Sequence, residues 1–229
     1  MSDPGFFEVI ESTRAMKRLR KDAVPLALIR RVIDIGTKAP SGVNTQPWEF
    51  VVVQDAVKKR WIQRRYLRFA SERFGDVVAS NRHADTPYAR MLRTVMYLAE
   101  HLDEVPVLLF VCGHRDWPAA VPVDERIGQA PPPYGSVYPC AQNILLACRA
   151  LGLGASLTTI HHMFEPELAE YLEVPEDVSL VALLPIGFPK GRFGPVTRIP
   201  GQRLTHFDRW GHSEPEEVSA IRRINQNGS

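Results

Sequence analysis

Three separated segments carry residue types that could act on a charged or planar ligand. The first is Arg14-Ala15-Met16-Lys17-Arg18. Arginine presents planar, permanently charged donors that suit a phosphate or a carboxylate. Two such side chains on one phosphate would each contribute roughly 1.5–3 kcal/mol. The second is Pro40-Ser41-Gly42-Val43-Asn44-Thr45-Gln46-Pro47-Trp48. Its hydroxyl and amide groups supply the donors and acceptors that a planar heterocycle needs, and Gly42 permits close backbone approach. The third runs from Gly152 to Ile160 and continues into His161 and His162. There a glycine-punctuated helix end feeds a strand whose far end is polar, the place where ligands gather in open α/β sheets. Taken singly, the first two segments have plainer readings: a solvated basic face and a polar turn before a strand.

Several other chemistries are excluded. No G-x-G-x-x-G opens a helix after a strand, and no G-x-S-x-G, P-loop or H-E-x-x-H is present. His161 and His162, as neighbours in a strand, are expected to point to opposite faces, and Cys112-Gly113-His114 lacks partners at zinc spacing. No metal site is expected.

The elements that must position these segments follow from periodicity and punctuation. Helices are predicted over 6–13 and 26–38, the second starting after Pro25 with Leu28, Ile29, Val32, Ile33 and Ile35 at helical spacing. Residues 40–47 read as a loop that enters a β-branched strand, Trp48 to Val53. Helical patterns cover 55–75 and 86–104. The apolar run from Val107 to Cys112 suits a strand buried on both faces. A Pro-rich irregular stretch follows to residue 133. Val137, Ala141, Ile144, Leu145 and Cys148 then form the stripe of a helix over 137–151, which Gly152 stops. Strands at 155–159 and 179–186 flank a helix at 166–172. Beyond Gly187 the chain is irregular, and a polar tail over 211–229 is expected to fray. Helices alternating with a few strands predict an α/β layered fold with one sheet, in a single domain whose folded core covers about 6–210.

Composition narrows the class. With 229 residues, 45% of them hydrophobic and 24% charged, the chain can bury a core without disulfide or metal staples, so disordered and fibrous classes are excluded. The best apolar run, Val105 to Gly113, is strand-sized, so no membrane span is expected. The start, Met-Ser-Asp-Pro-Gly-Phe-Phe, has no basic region followed by an apolar one, which points to the cytoplasm. Cys112, Cys140 and Cys148 cannot pair completely and read as buried thiols in a reducing compartment.

Charge is unevenly spread. Arg14 to Lys21 holds five basic residues and Lys58 to Arg68 holds six, without an acid in either. The chain has 28 basic and 26 acidic residues, so the remainder is net −9, and both positive segments call for an explanation.

Together, in this order, the segments resemble the FMN-dependent nitroreductase family. The resemblance rests on Arg14-x-x-x-Arg18 and on Ala-Pro-Ser-Gly-x-Asn-x-Gln-Pro-Trp at 39–48, which leads into Phe-Val-Val-Val. It continues with Gly135-Ser-Val-Tyr-Pro-x-Ala-Gln-Asn143 and its Ala-Leu-Gly-Leu-Gly154 ending. The last matching features are Leu183-Leu-Pro-Ile-Gly-Phe-Pro189 and Val196-Thr-Arg198-Ile-Pro200. The resemblance implies an α+β fold, a central mixed sheet with helices on both faces, built as an intertwined homodimer with shared active sites.

Residue by residue, the resemblance assigns Arg14, Ala15, Met16 and Arg18 to the FMN phosphate and ribityl chain. Met16 stands where relatives commonly carry serine, leaving backbone contact only. Pro40, Ser41, Gly42 and Asn44 would cover the flavin from the other subunit, with Ser136 as a further contact. Thr158, Thr159 and Ile160 would pass beside the isoalloxazine, and Arg198 would return to the phosphate. The implied activity is reduction of an electron-poor acceptor (a nitroaromatic, a quinone or an activated alkene) with NADPH or NADH as donor, by a ping-pong flavin mechanism. His161 is the nearest candidate for a proton donor; the plainer reading is a structural histidine. Segments 60–104 and 113–134 are the variable, substrate-side regions.

Two other readings are carried: a member of the fold that holds flavin or another ligand without turnover, and a nucleic-acid binder using the basic segment 58–68 with Trp61 and Tyr66 interleaved. On a helix those charges spread around the axis, which predicts a solvated helix with inward aromatics, so no nucleic-acid partner is expected.

Overall fold

The computed structural model of the chain describes residues 4–114 and 134–212. Two long apolar runs become the spine of the sheet, β2 (Val107–His114) and β4 (Val178–Gly187). β1 (Trp48–Val53) pairs with β2, β2 with β4, and the short β3 (Gly154–Ala155) with β4, giving the order β1-β2-β4-β3. Every pair is antiparallel. The α+β class with helices on both faces stands, but the mixed sheet expected from sequence has no parallel pair among the described residues. The helical connection between β1 and β2 explains that sense for this pair. α3 (Ala56–Ser80) and α4 (Pro87–Glu100) form a hairpin, with Gln63 Nε2 donating to the Ala99 carbonyl at 3.2 Å. The chain therefore re-enters the sheet at the end it left.

Alternation along β2 divides the core. Val107, Leu109 and Val111 pack against α2 (Leu26–Gly36) and α5 (Tyr134–Ala150) through Ile29, Val32, Ala141, Ile144 and Cys148. Leu108, Phe110 and Cys112 face Ile62, Tyr66, Leu98 and Leu168, the last from α6 (Glu165–Leu172). Opposite Val111/Cys112 the register shifts by one residue, which puts Val181 and Ala182 on the same side of β4. All three cysteines are buried, and desolvation pushes each thiol up to about 12.

Helix ends follow local chemistry. Asp55 accepts from the Lys58 N–H at 2.8 Å, and Thr86, followed by Pro87, accepts from the Ala89 N–H at 3.1 Å. Gly152 at φ +73° ends α5. α1 (Phe6–Ser12) precedes the arginine segment. α3 runs on to Ser80 rather than stopping at 75, and the end of the predicted 86–104 helix is a separate 3-10 turn, Leu102–Glu104.

The chain divides into two compact units, one ending at Gly194 and the other beginning at Pro195. The expected core of 6–210 extends over both. The second unit holds a 3-10 turn, Gly201–Leu204, and a reversal in which the Phe207 N–H donates to the His212 carbonyl at 2.8 Å. Residues 213–229 of the tail, most of 113–134 with Trp117, and the Tyr134 side chain lie outside the described residues.

Candidate functional site

The arginine segment lies along the β3 end of the sheet. The Met16 N–H donates to the Ala155 carbonyl at 2.9 Å, the Arg20 N–H to Phe188 at 2.7 Å, and the Lys190 N–H to Arg18 at 2.9 Å. The Met16 side chain is buried in the core. With its N–H engaged by Ala155, a backbone contact of Met16 with a ligand would fall to its carbonyl. Arg14 and Ala15 are exposed, as is Arg18, whose guanidinium lies 4.1 Å over the Tyr97 ring. The Tyr97 hydroxyl takes a hydrogen bond from Lys190 Nζ at 2.9 Å. Farther along, Arg20 pairs with Asp22 at 3.4 Å and Lys21 with Glu104 at 3.0 Å. Arg14 and Arg18 have no carboxylate partner among the described residues. Burial holds the Lys17 ammonium below its ordinary range.

Glycine at 154 permits this packing. A Cβ there would stand 2.8 Å from Leu19 Cδ2, 3.0 Å from Met16 Cβ and 3.2 Å from Pro189 Cβ.

The loop after α2 sits elsewhere. Pro40, Gly42 and Asn44 are exposed, and Ser41 is half-buried with Oγ accepting from the Gln46 N–H at 3.0 Å. Val43, Asn44 and Gln46 all adopt positive φ, at 44°, 59° and 50°. A β-branched residue in that region is strained, and such strain concentrates at ligand sites and switches. Ser136, buried in the first turn of α5, belongs to the same end of the sheet, since neighbouring Val137 would meet a Cβ on Gly113.

The two halves of the predicted site therefore occupy opposite ends of β2. Gly113 pairs with Trp48 beside the loop, while Val107 pairs with Ile186, which in turn pairs with Ala155 beside the arginines. From 107 to 113 a strand rises about 20 Å. Within the first unit, the arginines and the loop are not brought together. Arg198 lies in the second unit, exposed, with its Nη1 donating to the Thr197 carbonyl at 2.8 Å.

The segment after β3 is shorter as a strand than predicted. Thr158 makes an isolated bridge, exchanging both backbone hydrogen bonds with Leu183 at 3.0 Å, and Ile160–Phe164 is a 3-10 turn. Thr158 and Ile160 are partly exposed and Thr159 fully so. The expectation that His161 and His162 face opposite ways fails with the strand. In the turn both rings reach one carbonyl, Leu180 O, through Nε2 at 2.7 and 2.9 Å. His161 is fully buried edge-on to Phe110. Desolvation pushes its pKa down to about 4, against the opposing pull of the Leu180 carbonyl. A neutral ring with its proton held by a backbone carbonyl fits the structural reading of His161.

Sequence reasoning missed two neighbours of these segments. They are Tyr97, which lies beneath Arg18, and Tyr66, whose hydroxyl meets Thr158 Oγ1 at 2.7 Å. Tyr66 follows Ile62 by four residues on the inward stripe of α3, and a polar tip there required a partner that the sequence does not locate.

The basic stretch of α3 is largely engaged by its own fold. Lys59 turns inward and donates to the Val105 carbonyl at 2.7 Å, and Arg65 pairs with Glu167 at 2.8 Å while covering Trp61. Trp61 stacks on Tyr171 at 4.2 Å and Lys58 sits over the same ring. Arg68 reaches Glu72 at 3.9 Å.

Comparison with known proteins matches this architecture to one family. The sequence model of the nitroreductase family matches residues 10–188. The chain is 32% identical over 202 residues to NADH dehydrogenase from Thermus thermophilus, covering 83% of this chain and 90% of that one. It is 29% identical over 190 residues to iodotyrosine deiodinase 1 from Rattus norvegicus, covering 82% and 64%. A crystal structure of oxidised iodotyrosine deiodinase bound to FMN and 3-iodo-L-tyrosine shares the fold, with a TM-score of 0.64 at 23% identity over 85% of this chain and 95% of that one. With the match reaching from α1 through the end of β4, the chain belongs to the nitroreductase family.

Proposed function

We propose that this protein is an FMN-dependent oxidoreductase that accepts electrons from NADPH or NADH and reduces an electron-poor small molecule at sites shared between two copies. The observation that carries the reading is the pair Arg14 and Arg18, anchored to the sheet through Met16 yet without carboxylate partners among the described residues. A phosphate monoester with nearly two negative charges fits that donor set. Bound FMN would supply the two-electron redox chemistry.

The chain's residues would hold and enclose it. Arg14 and Arg18 would bind the phosphate, with Arg198 as a further cation and Ala15 beside them. Thr158, Thr159 and Ile160 would line the flavin ring at the partly exposed turn beyond β3. Pro40, Ser41, Gly42 and Asn44, with Ser136, would approach from a second copy, because within one first unit they stand about 20 Å away along β2. His161 would remain neutral and outside the proton path.

The visible spectrum of the purified protein, before and after FMN is added and excess removed, tests this. Retained flavin bands that bleach anaerobically with NADPH or NADH support the reading. Bands that persist with both donors yet bleach with dithionite support the non-catalytic alternative. Absence of retained flavin after reconstitution overturns the proposal. The acceptor screen then spans nitroaromatics, quinones, activated alkenes and, given the deiodinase relatives, halogenated phenols.

A further inference from the structure

The Tyr66 hydroxyl is buried, and its partner is the Thr158 hydroxyl, 2.7 Å away. Neither hydroxyl has another hydrogen-bond partner among the described residues apart from the Ile160 N–H, which approaches Thr158 Oγ1 at 3.5 Å. In a pair where either oxygen could be the donor, desolvation favours the phenol. A phenol proton in an apolar core carries a desolvation cost unless it is donated. Here the available acceptor is Thr158 Oγ1. That oxygen has two lone pairs, one facing the Tyr66 O–H and the other facing the Ile160 N–H. The backbone N–H and carbonyl of Thr158 are both engaged by Leu183. What remains is the threonine's own hydroxyl proton, on a residue that is partly exposed.

From this we infer that Tyr66 is a positioning residue: by donating to Thr158 from inside the core, it turns the Thr158 hydroxyl into a fixed outward hydrogen-bond donor to the bound flavin. The inference rests on the flavin reading above and deepens it. Burial also raises the Tyr66 phenol to about 12, so the donor stays protonated through the physiological range. Without Tyr66 the Thr158 side chain would lose its anchor in the core, and its hydroxyl would no longer be held toward the ligand. Tyr66 itself touches no ligand and acts only through Thr158.

The test is a double-mutant cycle on the full chain, read by FMN titration of the apoprotein and by the midpoint potential of the reconstituted protein. Tyr66→Phe removes only the buried hydroxyl; Thr158→Val removes the donor; Thr158→Ser keeps a hydroxyl and serves as the conservative control. The expected result is about a fivefold to tenfold weaker FMN dissociation constant for both Tyr66→Phe and Thr158→Val, in line with one lost hydrogen bond. The double variant should be no weaker than Thr158→Val alone, Thr158→Ser should stay within about twofold of the parent, and the potential should shift in the same direction in both single variants. A general packing defect at Tyr66 would instead add to the Thr158→Val loss, and that additivity overturns the inference. So does a Thr158→Val protein with unchanged FMN affinity and potential, a result independent of whether Tyr66→Phe folds. If the parent protein retains no FMN, the flavin reading itself has failed; if it does and the variants match it, only the role of Tyr66 has failed.

Discussion

The Met16 N–H donates to the Ala155 carbonyl at 2.9 Å, and this bond registers the arginine segment against the last residue of β3. Leu19, three residues on, continues the registration by bridging to Pro189, next to the end of β4. Arg14 and Arg18 are thus tied to the rigid part of the fold although both side chains stand in solvent.

Gly154 is the point at which that registration is most easily broken. Its missing side chain is space that Met16 Cβ and Leu19 Cδ2 would contest at 3.0 and 2.8 Å. Met16 Cβ is fixed to the backbone and cannot swing away. Gly154→Ala should therefore cost about 1–3 kcal/mol in urea unfolding, the usual penalty for an overpacked core. Flavin retention should fall with it as the arginine segment shifts. Parent-like stability together with parent-like retention would show that the segment is held by other contacts.

Removing the arginine charges should affect binding and leave folding alone. Arg14→Gln and Arg18→Gln change exposed side chains without carboxylate partners among the described residues, so unfolding should stay within about 0.5 kcal/mol of the parent for Arg14 and within about 1 kcal/mol for Arg18, which also leaves the Tyr97 ring. FMN affinity should fall roughly tenfold or more in each, the loss of one charge-assisted contact. Riboflavin, which lacks the phosphate, separates the two roles. Its affinity should be unchanged, and an equal loss for riboflavin would remove the arginines from the phosphate site.

Much of this was legible in the chain because local rules and tertiary packing agree there. The strand Trp48 to Val53 begins and ends as its β-branched run dictates, and Gly152 stops α5 where it was expected to. The motif segments were visible as residue types, yet their meeting places were not, because the β1-β2-β4-β3 order depends on pairings between distant runs. The stretch 155–159 is not a continuous strand: Gly154 and Ala155 pair with Gly187 and Ile186, and the chain returns to β4 only through the single bridge of Thr158 to Leu183 before its 3-10 segment. Lys59 was read as part of a solvated positive face. It falls on the inward stripe with Ile62 and Tyr66, and the Val105 carbonyl compensates its burial.

The separation of the two half-sites predicts a specific complementation. If one site combines the arginines of one copy with the loop of the other, mixing an Arg14→Gln chain with an Asn44→Ala chain yields one intact and one doubly altered site per heterodimer. Heterodimers isolated through two different affinity tags should then hold about one FMN per dimer, more than either parental variant holds at the same concentration. A site built within one copy would leave every site with a lesion and show no gain. The titration of bound flavin against dimer concentration distinguishes these outcomes directly.

His161 should give the fold a defined acid sensitivity. Its pKa falls from 6.5 to about 4 in the native state, first because burial penalises the imidazolium and further through the charge of neighbouring His162; only the Leu180 carbonyl opposes this. Between those values the unfolded chain binds the proton and the native chain does not, so stability rises with pH across that window and is level above it. The contribution present at neutral pH is about 3 kcal/mol, lost as pH drops from 6.5 to 4. His161→Gln keeps an Nε2 donor for Leu180 while removing the titration. The difference in unfolding free energy between parent and variant should accordingly shrink by about 3 kcal/mol over that range, measured by urea denaturation at half-unit steps. A difference that stays constant would mean that His161 is protonated in the folded protein, and the histidine would return as a candidate proton donor.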